Sequence, residues 1–124
     1  MKIDYLLATD FLVARWAEGP DGSADRWLQL HADSRLGIPW IVKGELLRAA
    51  REIGLAEPEV ETFLNRYPTT QPDDETLRHY ARLPATNLSV SEQWLAATAL
   101  RHNIPLVTNF LPDAESTGVQ IKRY

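Results

Sequence analysis

The sequence predicts an α/β domain, with helices covering both faces of a central, mostly parallel sheet. Three observations lead there. Short apolar runs ("IDYLL" at 3–7, "IPLVT" at 104–108, "VQIKRY" at 119–124) are separated by segments whose apolar residues recur at helical spacing. The run "IPLVT" is of the fully buried type expected when both faces of a strand are covered. At 124 residues, the chain has room for one hydrophobic core and is read as a single domain, residues 1–124.

The elements follow in order. Residues 3–7 read as a strand and 11–18 as a short helix, with Asp10 as its N-cap. Gly19-Pro20-Asp21-Gly22-Ser23 is a turn. Residues 24–35 carry Trp27, Leu28, Leu30 and His31 at helical spacing and close at Gly37. "IPWIV" (38–42) is a short β-like run or a helix entrance, leading into a helix at 43–53 that closes at Gly54. Residues 57–66 form a helix, "YPTTQP" is extended, and 73–82 is helical with Asp73 or Asp74 near its start. "SVSEQWLAATALRHN" is a strong amphipathic helix leading into the strand "IPLVT", and "VQIKRY" closes the sheet.

Composition narrows the function. Apolar residues make up 44% and charged residues 24%, ordinary for a globular protein. No apolar stretch nears the roughly 20 residues of a membrane span, and no basic segment followed by a long apolar one opens the chain, so a cytoplasmic location without membrane contact is expected. Zero cysteines exclude disulfides and thiolate metal sites, and three histidines in separate segments argue against zinc. A net charge of −4 argues against nucleic-acid binding driven by overall charge.

Open parallel sheets bind ligands at the carboxyl ends of their strands. Polar residues just past strand ends are therefore the candidates: Ala8-Thr9-Asp10, Thr108-Asn109, and the starts of the helices carrying Glu45 and Glu92. Phosphate-cradling glycine loops and a GxSxG elbow are both missing. What remains is carboxylates.

Here the residues resemble a known family. "YLLATDFLV" is similar to the opening "LLDTNVLI" of PIN domains, "KGELLRAA" to their "ELLxG" segment, and "SEQWLAATALRHNIPLVTNF" to "DxWIAATALxHxxxLVTxN". The three blocks stand in the family's order and span nearly the whole chain. The resemblance implies a three-layer α/β/α PIN-like fold and, at this size, a VapC-like toxin of a toxin–antitoxin system. It implies an endoribonuclease dependent on Mg²⁺ or Mn²⁺, an RNA substrate, an inhibiting antitoxin and a homodimer.

Hard divalent ions prefer oxygen ligands, and they activate water and stabilise charge as a phosphodiester is attacked. Carried over by the resemblance, the family's first acid falls at Ala8, its second at Glu45, its third at Glu92, and its fourth near Asn109 to Asp113. Alanine cannot ligate, so the chain as given is expected to be weak or inactive. Ala8 is either a natural loss that leaves a non-catalytic protein- or RNA-binding module, or a deliberate exchange that disarms a toxic nuclease. At the fourth position the family's acid or amide is replaced by Phe110, which leaves Asp113 as the nearest carboxylate. Asp10, Thr108 and Asn109 are supporting candidates at the rim. Lys43, Arg48, Arg51 and Arg15 are candidates for phosphate contact.

Structural readings compete with each of these. Ser89-Val90-Ser91-Glu92 fits a capping box, with Glu92 returning to the Ser89 N–H. Glu45 sits three residues before Arg48 and can form a helix-surface pair. Thr108 can end its strand with a side-chain hydrogen bond, the basic residues can form a solvated face, and Trp94 can be core. A flavodoxin-like regulatory domain shares the architecture, but the chain shows neither its acidic strand-one pocket nor its lysine after the last strand.

Overall fold

The computed structural model describes residues 2–84, 87–112 and 114–124. Strand β1 (Tyr5–Leu7) lies at the centre of a five-stranded sheet with β2 (Leu36–Pro39), β3 (Thr69–Thr70), β4 (Leu106–Val107) and β5 (Ile121–Lys122). The order is β3-β2-β1-β4-β5 and every pairing is parallel. The chain grows outward from β1 through β2 to β3, then crosses back to β4, so its direction reverses between β1 and β4. At such a switch point the loops leaving two neighbouring strands diverge and open a crevice.

Helices α1 (Thr9–Glu18), α2 (Ser23–Leu30), α3 (Trp40–Glu52), α4 (Glu57–Leu64), α5 (Asp74–Ala81), α6 (Val90–His102) and α7 (Ala114–Thr117) flank the sheet. No helix among the described residues is long and apolar enough to cross a membrane. Parallel strands need crossovers, and every face of this sheet is covered as a result. Leu6, Leu7, Ile38, Leu106 and Val107 are fully buried, joined by Phe11 and Leu12 of α1. Each such side chain contributes about 1.5–3 kcal/mol of transfer free energy. Trp27 ties this core together, edge-on to both Tyr5 and Phe11 and stacked on His31 at 3.8 Å.

Several element boundaries differ from the sequence reading, each for a local reason. The "IPWIV" run is both of its alternatives: the strand ends at Pro39 and α3 starts at Trp40. The helix expected over 24–35 stops at Leu30, and Gly37 sits inside β2 instead of closing a helix. Arg35 N–H donates to the Asp4 carboxylate at 2.8 Å and Arg35 C=O accepts from Asp4 N–H at 2.7 Å, which draws this segment alongside β1. The fit there is close: a Cβ on Gly37 would stand 2.6 Å from Ile3 Cδ1, so the Ile3 side chain would have to shift. Helix α3 does close at Gly54, whose φ of +78° suits a residue without Cβ. The single-turn helix α7 was not anticipated.

Two capping boxes start the last long helices. Asp73 accepts from Thr76 N–H while the Thr76 hydroxyl accepts from Asp73 N–H, and Ser89 and Glu92 exchange bonds the same way. Helix α6 ends on Asn103 in the left-handed conformation, φ +53°, which lets the chain turn directly into β4. Helix α6 buries Leu95 and the run Ala96-Ala97-Thr98-Ala99. Small side chains there let neighbouring elements pack closely, and α6 lies against α5 and α3.

Candidate active site

The carboxyl ends of β1 and β4 open onto a pocket of about 400 Å³. Ala8 and Thr9 enter it from the end of β1, Glu45 from α3, Glu92 from the first turn of α6, and Thr108 from the end of β4. Four separate segments, spread over a hundred residues, thus place oxygen-bearing side chains around one hollow. Phe110 stands on the rim with 72% of its surface exposed.

The carboxylates are held differently. Thr9 donates its hydroxyl to Glu45 Oε1 at 2.9 Å, fixing that side chain toward β1 and away from the helix-surface pairing with Arg48. Arg48 approaches Glu52 at 4.0 Å instead. Glu92 lines the pocket and also caps its helix, accepting from Ser89 N–H at 2.9 Å through Oε1. One side chain thus both caps its helix and lines the pocket.

Asp10 corrects the sequence reading. The helix begins at Thr9 with Ala8 as an N-cap lacking a side-chain bond, so Asp10 lies inside the first turn rather than capping it, although it does line the pocket as a rim residue would. Its carboxylate turns to the sheet and accepts three donors: the Thr108 hydroxyl at 2.5 Å, Asn109 N–H at 3.0 Å and the Tyr124 hydroxyl at 2.8 Å. Burial, this hydrogen bond and the negative charges of Asp10 and Glu18 push the Tyr124 phenol well above its ordinary pKa, so it remains a donor. Thr108 also accepts from Phe110 N–H at 3.2 Å, which sets the course of the chain after β4. Asn109 faces away from the pocket, its amide bonded to the backbone of Tyr124 on both sides.

The basic candidates stand apart from the pocket wall. Arg15 is bound to Asp25 of α2 at 3.1 Å, and Lys43, Arg48 and Arg51 lie on α3 without lining the hollow. Asp113 lies outside the described residues. Sequence reasoning missed Tyr124 and, though it placed Thr9 among the candidates, gave no sign of the bond from Thr9 to Glu45; neither has a local pattern, since each acts through a partner 36 or more residues away.

An all-parallel α/β domain with an acidic pocket at its switch point is the class that this geometry defines. Residues 5–109 match the PIN domain model, and the chain belongs to the PIN domain family. Its fold is similar to chains in three solved toxin–antitoxin structures. VapBC2 from Rickettsia felis, bound to a DNA fragment from its promoter, matches with a TM-score of 0.83 and 20% identity, over 98% of this chain and 99% of that one. DNA-bound VapBC from Salmonella typhimurium gives 0.81 and 22%, over 98% of each chain. VapBC-1 from nontypeable Haemophilus influenzae gives 0.75 and 23%, also over 98% of each. No curated protein matches the chain.

Family membership raises the question of a divalent metal, and the residues present can be tested for it. Among the described residues no group of three or more His, Asp or Glu side chains is placed to hold an ion. Ala8, 1% exposed, offers a methyl group at the pocket floor, and the oxygens of Asp10 already take three donors. Glu45 and Glu92 alone do not make a complete centre.

Proposed function

We propose that the chain is an endoribonuclease toxin of the VapC type, cytoplasmic and dimeric, inhibited by an antitoxin, and that alanine at position 8 deprives it of the first acid of its Mg²⁺ or Mn²⁺ site. The observation that carries this reading is that Ala8, Glu45 and Glu92 line one pocket at the switch point. The family match and the likeness to VapBC chains support it.

The chain's own residues account for the shape of such a site. Thr9 orients Glu45, the capping box orients Glu92, and Asp10 with Thr108 fixes the loop after β4. Leu95 and Leu111 give the hollow an apolar wall, which lowers the local dielectric and strengthens every charge interaction inside. Since the present donor set is incomplete, no cleavage step is assigned to the chain as given.

RNA cleavage with Mg²⁺ by Ala8→Asp beside the chain as given tests the reading. Cleavage by Ala8→Asp that vanishes on adding Glu45→Gln is the expected result. A folded Ala8→Asp protein that cuts none of a broad RNA panel favours the second reading, a PIN domain that binds a protein or RNA without cutting. The buried Ala8 methyl is the observation in favour of that alternative.

A further inference from the structure

The opposite edge of the sheet carries a second hollow with the reverse charge. Because all strands run the same way, the residues just before β1, β2 and β3 meet at the amino edge. Lys2 precedes β1, Arg35 precedes β2 and Arg66 precedes β3, and all three line one hollow of about 460 Å³. That volume is in the range of small-ligand sites, about 300–1,000 Å³. Among the described residues no carboxylate lines it, in a chain whose net charge is −4.

Asp33, between the lining residues Ala32 and Ser34, is exposed and does not itself line the hollow. The Asp4 carboxylate is taken by the Arg35 backbone N–H, and no ion pair engages the side chains of Lys2, Arg35 or Arg66 among the described residues. Arg66 lies 5.8 Å from the Phe63 ring centroid, a contact that leaves guanidinium N–H groups free to donate. His31 stacks on Trp27 and bonds its C=O through Nδ1, adding an imidazole to the wall. Tyr67 also lines the hollow, its phenol kept protonated by burial, which raises its pKa. Three unpaired cations facing one hollow repel each other and gain from an anion; planar guanidinium groups match the oxygens of a phosphate.

We propose that this amino-edge hollow binds backbone phosphates of single-stranded RNA through Lys2, Arg35 and Arg66, on the side of the sheet opposite the acidic pocket. The choice of RNA rests on the nuclease reading; the choice of phosphate rests on the hollow itself.

The test is the affinity of a labelled twelve-nucleotide single-stranded RNA for the full chain in EDTA, measured by fluorescence anisotropy across 50–200 mM salt. Arg35→Gln/Arg66→Gln is expected to weaken binding about 5–10-fold at 100 mM and to flatten the log–log salt slope by about 1.4, or 0.7 per lost phosphate contact. Arg26→Gln/Arg78→Gln removes the same charge elsewhere and is expected to change affinity less than twofold. All four side chains are exposed, so neither pair disturbs the core. Equal losses from both pairs, or none from the first, overturn the proposal and leave the nuclease reading standing. Pelleting of the chain with phosphatidylserine vesicles in place of RNA binding also overturns it. Selective loss from the first pair, in a protein whose Ala8→Asp form cuts nothing, upholds the proposal and sinks the nuclease reading.

Discussion

The Tyr124 hydroxyl donates to Oδ2 of Asp10 across 2.8 Å, joining residues 114 apart in sequence. Tyr124 also packs edge-on against Phe11, centroids 5.0 Å apart, so its ring and its hydroxyl both brace the first turn of α1. Tyr124→Phe keeps the ring and removes one of three donors to Asp10. The expected loss is roughly 1 kcal/mol, below the range for a buried bond to a charged group because the phenol is only part-buried. Urea unfolding measures it.

The same phenol predicts an alkaline weakness. Its folded pKa lies above the ordinary 10.0, so between the two values the unfolded chain binds fewer protons than the folded one. Stability is then fully present below pH 10 and falls as pH rises above it. Thermal melts at pH 8 and pH 11 are expected to show a larger drop for the chain as given than for Tyr124→Phe. Tyr67, raised by burial, contributes in the same direction to both proteins.

At the acid end the controlling pair is Asp73 and Arg101. The Arg101 guanidinium, 2.8 Å from Oδ2, together with the Thr76 bonds, holds the Asp73 carboxyl well below its usual range. A depressed carboxyl contributes stability that is present above the unfolded value of 3.8 and is lost as pH falls below it. Asp73→Asn retains a competent helix cap but discards the charge. Its urea midpoint is expected to fall below that of the chain as given at pH 7, with the gap closing toward pH 2.

Glu92 separates a structural from a chemical role. Glutamine can return the capping bond to Ser89 N–H, whereas alanine cannot. Glu92→Gln is expected to keep the stability of the chain as given and Glu92→Ala to lose about 0.5–1 kcal/mol. In the Ala8→Asp background both exchanges are expected to abolish RNA cleavage, a loss that stability alone does not explain.

Ala8→Asp itself places a carboxylate at a site that is 1% exposed, in the pocket that Glu45 and Glu92 also line. Without a cation the variant is expected to melt below the chain as given, since buried like charges repel and resist desolvation. Mn²⁺ is expected to raise its Tm more than that of the chain as given, and saturation to about 100 Kd corresponds to about 2.7 kcal/mol. Equal shifts in the two proteins count against a restored metal site.

What the sequence made legible follows from how far each cause reaches along the chain. The sheet's central strand, the α6 cap at Ser89-Glu92 and the start of α5 near Asp73 were readable because period, capping spacing and apolar runs are local signals, although the reading did not choose between Asp73 and Asp74 or name a cap. Glu45 and Glu92 were placed by resemblance and meet at one pocket. Asp10 was misread because an acid before a helical run looks like a cap; its real partners, Thr108, Asn109 and Tyr124, are 98 or more residues away. The end of α2 was misread for a similar reason: the Asp4–Arg35 bonds that pull the chain into β2 span 31 residues.

The parallel strand order also sets the timing of folding. β1 lies between β2 and β4, so its second edge stays bare until Leu106 and Val107 exist. A ribosome adding about 5–20 residues per second needs roughly 3–13 s to travel from Pro39 to Leu106. Throughout that interval the nascent chain carries an exposed strand edge, and the pocket lacks the wall that Thr108 supplies. A chain truncated before β4 therefore lacks both the partner of β1's second edge and the wall that Thr108 gives the pocket.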